Sequence, residues 1–224
     1  MNLIPANLPS LLVFVGILIA VVSAIVLGAY YARANPGAVG LGIVIWLGVL
    51  SWVVSLGIFE TEPARVLPFL AACNLAAVVF ALSPIGRRLA MGLPLAALVG
   101  FQVFRLPLEL VLHSWATQGV IPVTMTWDGS NLDILSGALA LIAAPLVSRF
   151  RSVAWVFNLV GITLLVNVAR VAILSSPLPF AWQVEPPLLL AFHLPYALIV
   201  PVCVAGALGG HIVLTRRLLD EKSP

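Results

Sequence analysis

Seven apolar runs, at approximately 11–32, 38–59, 65–83, 90–113, 133–148, 153–175 and 187–214, fill most of this chain, and most of its charge lies in the short Pro- and Gly-containing stretches between them. Most of the runs reach the roughly 17–25 residues a helix needs to cross hydrocarbon. Water cannot be the solvent for such a surface. Of 224 residues only 8% are charged and 62% are hydrophobic, whereas soluble domains carry about 25% charged residues. The mean hydropathy of +1.16 points the same way.

Without water in the bilayer core every backbone amide needs an internal partner, and continuous apolar runs satisfy that as helices. A barrel would show alternation over about ten residues instead. The sequence therefore predicts an all-α polytopic membrane bundle of about seven transmembrane helices, forming one membrane domain over 1–224. Residues 65–90 divide scaffold helices (1–83) from helices that carry polar groups (90–214). The fifth run is short. Met1 to Pro9 contains no basic residue to make the n-region of a signal peptide, so the first run reads as a retained span.

One set of alternate loops holds Arg33, Arg87, Arg88, Arg149, Arg151, Arg216, Arg217 and Lys222, and the opposite set holds only Arg65. The positive-inside rule then predicts a multi-pass protein with an outer N-terminus and a cytoplasmic C-terminus. Glu60, Glu62, Asp128, Asp133 and Glu185 fall on the outer side. The formal net charge of +3 is spent on orientation, so no nucleic-acid partner is expected and the lipid bilayer is the first partner. Cys73 and Cys203 lie in separate apolar runs without CxxC spacing and read as buried free thiols.

Ionisable groups inside apolar spans are costly and face a bundle interior or a water-filled cavity. Arg105, Glu109 and His113 recur at i, i+4, i+8, on one face of the fourth helix. Asn167 and Arg170 share a face of the sixth, His193 enters with the seventh, and Asp133 begins the fifth. Together they predict a polar layer on the outer side, with Arg170, His193, Asp133 and Glu109 as candidate catalytic groups and Arg105, His113, Asn131 and Asn167 as candidate substrate-binding groups. Charge pairs tying helices together, Arg105 with Glu109 or Arg170 with Asp133, explain the same residues without a site. His211 reads as an interfacial or capping histidine. Trp115, Trp127, Phe180 and Trp182 read as an outer aromatic belt, and Asn74 and Asn158 as interhelical hydrogen-bond glue.

The run Asn131-Leu132-Asp133-Ile134-Leu135-Ser136-Gly137, then Asn167-Val168-Ala169-Arg170-Val171, then Phe192-His193, resembles the three motifs of the exosortase/archaeosortase family of multi-span membrane transpeptidases. That resemblance implies Arg170 as the family's arginine, His193 as its histidine, a membrane-anchored protein or peptide as substrate, and the cell (cytoplasmic) membrane as location. Leu135 stands where the family has its cysteine nucleophile. Ser136 is rotated from it by about 100° on a helix, so its hydroxyl points elsewhere. The resemblance then implies a relative that binds an anchor helix without attacking it, or a membrane-embedded hydrolase or transferase whose chemistry rests on other groups. Glu109, His113, Asp133 and His193 are oxygen and imidazole donors of the kind that bind a divalent metal and activate water. Glu109 or His193 as general base is the metal-free alternative.

Overall fold

In this computed structural model, which describes residues 3–220, the chain is helical, with no strand among the described residues. Six helices there are long and apolar enough to cross a membrane: α1 (Leu8–Tyr31), α2 (Pro36–Ser55), α3 (Pro63–Leu82), and, after the short α4 (Pro84–Gly92), α5 (Leu95–Thr117), α7 (Arg151–Ser175) and α8 (Tyr196–Asp220). Between α5 and α7 lies α6 (Ile134–Leu146), of 13 residues. At 1.5 Å per residue it is about 20 Å long, short of the ~30 Å hydrocarbon layer. The protein is an all-α multi-pass membrane bundle.

Local chemistry sets the helix starts. The side chains of Asn7 and Asn35 accept from the main-chain N–H of Ser10 (3.0 Å) and Ala38 (3.1 Å), capping α1 and α2, and Ser83 caps α4. A proline follows each cap within the first two helical positions, where its missing N–H costs nothing. Pro107 instead falls inside α5, and the turn before it, Phe101–Phe104, is tightened to 3₁₀ geometry. Proline lacks the donor for the carbonyl four residues back and crowds it, so the helix is reshaped immediately before Arg105.

The helices run between two faces. At one, Arg216 donates to the carbonyl oxygens of Ala81 (2.5 Å) and Ser83 (3.1 Å), and Arg151 donates to that of Leu218 (2.6 Å). Arg33, Arg87, Arg88 and Arg149 gather at the same face; Lys222, expected with them, lies outside the described residues. At the other, the N-terminal face, Ala6 N–H donates to the Tyr196 hydroxyl (2.9 Å), Asn7 N–H to Gln118 Oε1 (2.8 Å) and Trp115 Nε1 to Ser10 Oγ (3.0 Å). Arg65 pairs there with Glu62 at 2.8 Å.

Trp115 departs from the expected aromatic belt. Its ring is fully buried, edge-on to Phe14 and Tyr196 at 5.0 and 5.1 Å, because the N-terminal segment folds over the end of α5. Ser10→Ala removes the indole's acceptor and is expected to lower stability by about 0.5–1.5 kcal/mol in detergent unfolding. An unchanged midpoint would mean the hydrogen bond contributes nothing.

The passage between α5 and α7 positions the site. Thr124 Oγ1 meets Ser175 Oγ at 2.7 Å, at the end of α7, while the Ser130 carbonyl accepts from Asn167 Nδ2 at 2.8 Å. Asn167 lies eight residues before Ser175, or about 12 Å deeper. The irregular segment 118–133 therefore descends along α7 into the bundle before α6 begins. Non-helical backbone at such depth is tolerated only when buried in protein with its polar groups paired. Gly129 and Ser130 N–H donate to the carbonyls of Thr126 and Thr124, Asn131 N–H to that of Thr126, and the Met125 carbonyl accepts from Asn131 Nδ2. Gly129 has no room for a side chain, since a Cβ would strike the backbone of Val123 and Thr124.

Candidate functional site

Arg105 lies at the middle of α5, about 15 Å from Leu95 and 18 Å from Thr117, and is 1% exposed. Its partner is Asp133, delivered by the descending segment. Nε donates to Oδ2 at 2.7 Å and Nη2 to Oδ1, a two-pronged carboxylate grip. The pairing differs from both expected ones, Arg105 with Glu109 and Arg170 with Asp133, because Asp133 enters at mid-depth instead of at the outer end. Gly137 makes the approach possible: α6 packs so closely on α5 that a Cβ there would collide with the Leu106 backbone. Ser136 is buried and its hydroxyl donates to Asp133 Oδ1 at 3.0 Å.

On its other side Arg105 Nη1 lies 3.1 Å from His211 Nε2. Guanidinium can only donate, so Nε2 accepts and the ring proton sits on Nδ1. Nδ1 then donates to Asn158 Oδ1 (2.9 Å), Asn158 Nδ2 to Thr215 Oγ1 (2.7 Å), and Thr215 Oγ1 to the His211 carbonyl (2.8 Å). The chain of bonds thus fits the neutral His211 ring with its proton on Nδ1. The expected interfacial histidine is thus a fully buried one. The final helix continues to Asp220, six residues past the apolar run, which carries His211 inward by more than a turn.

Glu109, one turn above Arg105 and also 1% exposed, accepts from Asn131 Nδ2 at 3.0 and 3.2 Å. Asn131 is the joint of the descending segment, since its Oδ1 also accepts from Asp133 N–H at 3.0 Å. Arg105, Glu109, Asn131 and Asp133, four of the residues singled out in the sequence, therefore meet at one place. Ser136, Asn158, His211 and Thr215 complete the network. A signal for them existed. Gly161 shares a face with Asn158 at i+3, and it is the glycine whose missing Cβ leaves space for the His211 ring.

The other candidates have separate partners. Arg170 is exposed, donates to Asn167 Oδ1 at 3.0 and 3.3 Å and lies 5.8 Å from the Trp182 ring. His193 Nδ1 is 3.7 Å from Glu60 Oε1, and its Nε2 has no hydrogen-bond partner among the described residues. His113 stacks on Trp127 at 4.2 Å and sits 3.4 Å from Asp128. Leu135 is 48% exposed on the outside of α6. No three His, Cys, Asp or Glu side chains gather as a metal site among the described residues, so the structure does not bring Glu109, His113, Asp133 and His193 together. Asn74 bonds the Leu70 carbonyl of its own helix instead of a neighbouring helix, and Cys73 and Cys203 are buried and free.

Above the network lies a cavity of about 310 Å³. Ser176, Leu188 and Val66 line its upper part and Leu165 and Ala207 its lower, a depth of about 16 Å along α7. Its walls are mainly apolar, and its charged members are Arg105, Glu109 and Asp133. An apolar cavity with a few convergent polar groups is the general form of a small-ligand site. What the fold and site define is a membrane-embedded bundle with a mainly apolar cavity that meets a buried polar network at mid-depth. No protein-family model matches the chain, and no match is found among curated proteins or solved structures.

Proposed function

We propose that the cavity holds the membrane-embedded end of an anchored peptide or lipid-linked molecule, with the ligand's hydrogen-bond donor against Glu109 and its apolar part along α3, α7 and α8. The observation that carries this is Glu109, a buried carboxyl group that lines an apolar cavity and whose one hydrogen-bonding side chain among the described residues is Asn131. A carboxyl group keeps acceptor positions beyond those that one amide fills, so capacity remains for a ligand. The arginine-rich face is cytoplasmic in this reading and the descending segment with α6 makes the fifth of seven passages. The cavity then opens toward the extracytoplasmic side of a cell membrane.

The test uses single-chain amphiphiles of equal length with the detergent-solubilised protein. An alkylamine and an alkanol, which donate to Glu109, are expected to stabilise it by about 2–3 kcal/mol at a hundredfold excess over their Kd. A fatty acid is expected to have no such effect. Glu109→Gln keeps the shape and weakens the amine at least tenfold. Equal stabilisation by all three, or indifference to Glu109→Gln, would remove this reading.

A second reading has an observation of its own. Asp133, Val168 and Ala169, from two of the three segments that resemble exosortase motifs, wall the same cavity, together with Leu190 and Ala191, which directly precede the third. On that reading the protein is an exosortase-like hydrolase or transferase without a cysteine at position 135, and Glu109 would take the proton from the attacking nucleophile. Cleavage of a C-terminally anchored test protein by reconstituted protein, abolished in Glu109→Gln, selects this reading; binding without cleavage selects the first.

A further inference from the structure

A second recess, distinct from the polar network, runs along α1, α2, α3 and α8 toward the arginine-rich face and has a volume of about 700 Å³. Its lining contains no charged side chain. Gly28, Gly42 and Gly206 keep it wide, and it ends near Tyr31, Ile85 and Leu89. That end lies beneath three arginines: Arg33 follows Tyr31 by two residues, and Arg87 and Arg88 directly precede Leu89. Arg88 Nη1 donates to the Arg33 carbonyl at 3.2 Å, tying the α1–α2 turn to α4. All three side chains are exposed, and no carboxylate pairs with Arg33, Arg87 or Arg88 among the described residues.

We infer that this recess is a binding site for an anionic phospholipid, one acyl chain lying in the groove and the phosphate meeting Arg33 and Arg87. The two halves of the argument are independent. An apolar channel between helices in a bilayer fills with hydrocarbon, which explains the walls but selects no headgroup. Three exposed arginines without acidic partners at its mouth supply the selection, since basic pockets between helices on one membrane face recognise anionic headgroups. The inference does not use Glu109 or the polar cavity, so it stands or falls separately from the proposed function.

The experiment compares phosphatidylglycerol and phosphatidylcholine with identical acyl chains, added to the full-length protein in detergent, with retention read by native mass spectrometry. Phosphatidylglycerol is expected to remain bound and phosphatidylcholine to dissociate. Each arginine near a membrane surface changes anionic-lipid affinity roughly five-fold, so Arg33→Gln with Arg87→Gln lowers phosphatidylglycerol retention by roughly 25-fold. Arg88 is left in place to preserve its bond to the Arg33 carbonyl. Gly42→Leu tests the groove: Gly42 lines the recess and a Cβ there meets no atom within 4 Å, so a leucine at this position is expected to fill part of the recess and displace the acyl chain. It is expected to lower retention without lowering the lipid-free unfolding midpoint, which helix propensity at this position raises if it moves at all. Equal retention of the two lipids, or full retention of phosphatidylglycerol by Gly42→Leu, would overturn the inference.

Discussion

Asp133→Ala is expected to destabilise the protein by about 3–5 kcal/mol, the cost of leaving a buried ion without its partner. Arg105 cannot lose its proton and cannot reach either membrane face from the middle of α5, and Asp133 is the carboxylate that grips it directly there. Arg105→Met with Asp133→Leu removes both charges, and apolar replacements of a buried pair are often neutral or better. Here recovery is expected to be incomplete. His211 Nε2 loses its donor and Ser136 its acceptor, each worth about 1–3 kcal/mol when left unsatisfied. Unfolding midpoints of the wild type, both singles and the double form a cycle that isolates the coupling. A mild single, or a double no better than Asp133→Ala, would show that the pair is not what holds α5 to α6.

The helical architecture was legible because six apolar runs are long, and length with continuous hydropathy leaves few alternatives in lipid. The Arg105 and Glu109 stripe was legible for the same reason, since a four-residue spacing inside a helix puts both on one face. The descent of residues 118–133 was not. Its Asp128-Gly129-Ser130-Asn131 run has the composition of a surface turn, and nothing local distinguishes a turn in water from one whose amides are satisfied inside a bundle. Only tertiary bonds, Asn167 to Ser130 and Asn131 to Glu109, reveal the depth. His211 was misplaced by a boundary error. Arg216 and Arg217 look like the end of the last span, yet both donate to carbonyls of neighbouring segments, at Ala81, Ser83 and Met91, so the helix continues through them. Trp115 was misplaced because amphipathic indoles favour interfaces in general, and the fold of residues 3–10 over it could not be read from its own neighbours.

Gly137→Ala is expected to be strongly damaging for a single added methyl group, because it acts on the polar network through the packing of α6 on α5. The new Cβ would lie 2.7 Å from Leu106 Cα, against the ~3.5–4.0 Å of an ordinary carbon contact. Helix α6 must therefore retreat from α5 by about 1 Å. Retreat carries Asp133 with it, and a 2.7 Å Nε–Oδ2 bond stretched that far leaves the ~2.7–3.2 Å range of hydrogen bonding. Overpacking alone costs about 1–3 kcal/mol, and the weakened ion pair adds to it. Gly42→Ala is the matched control, since open space surrounds that Cβ; helix propensity there favours alanine by up to about 1 kcal/mol. In an Asp133→Ala background Gly137→Ala is expected to cost less than in the wild type, because the pair it would separate is already gone. Equal costs in the two backgrounds would place the damage in packing alone and detach Gly137 from the polar network.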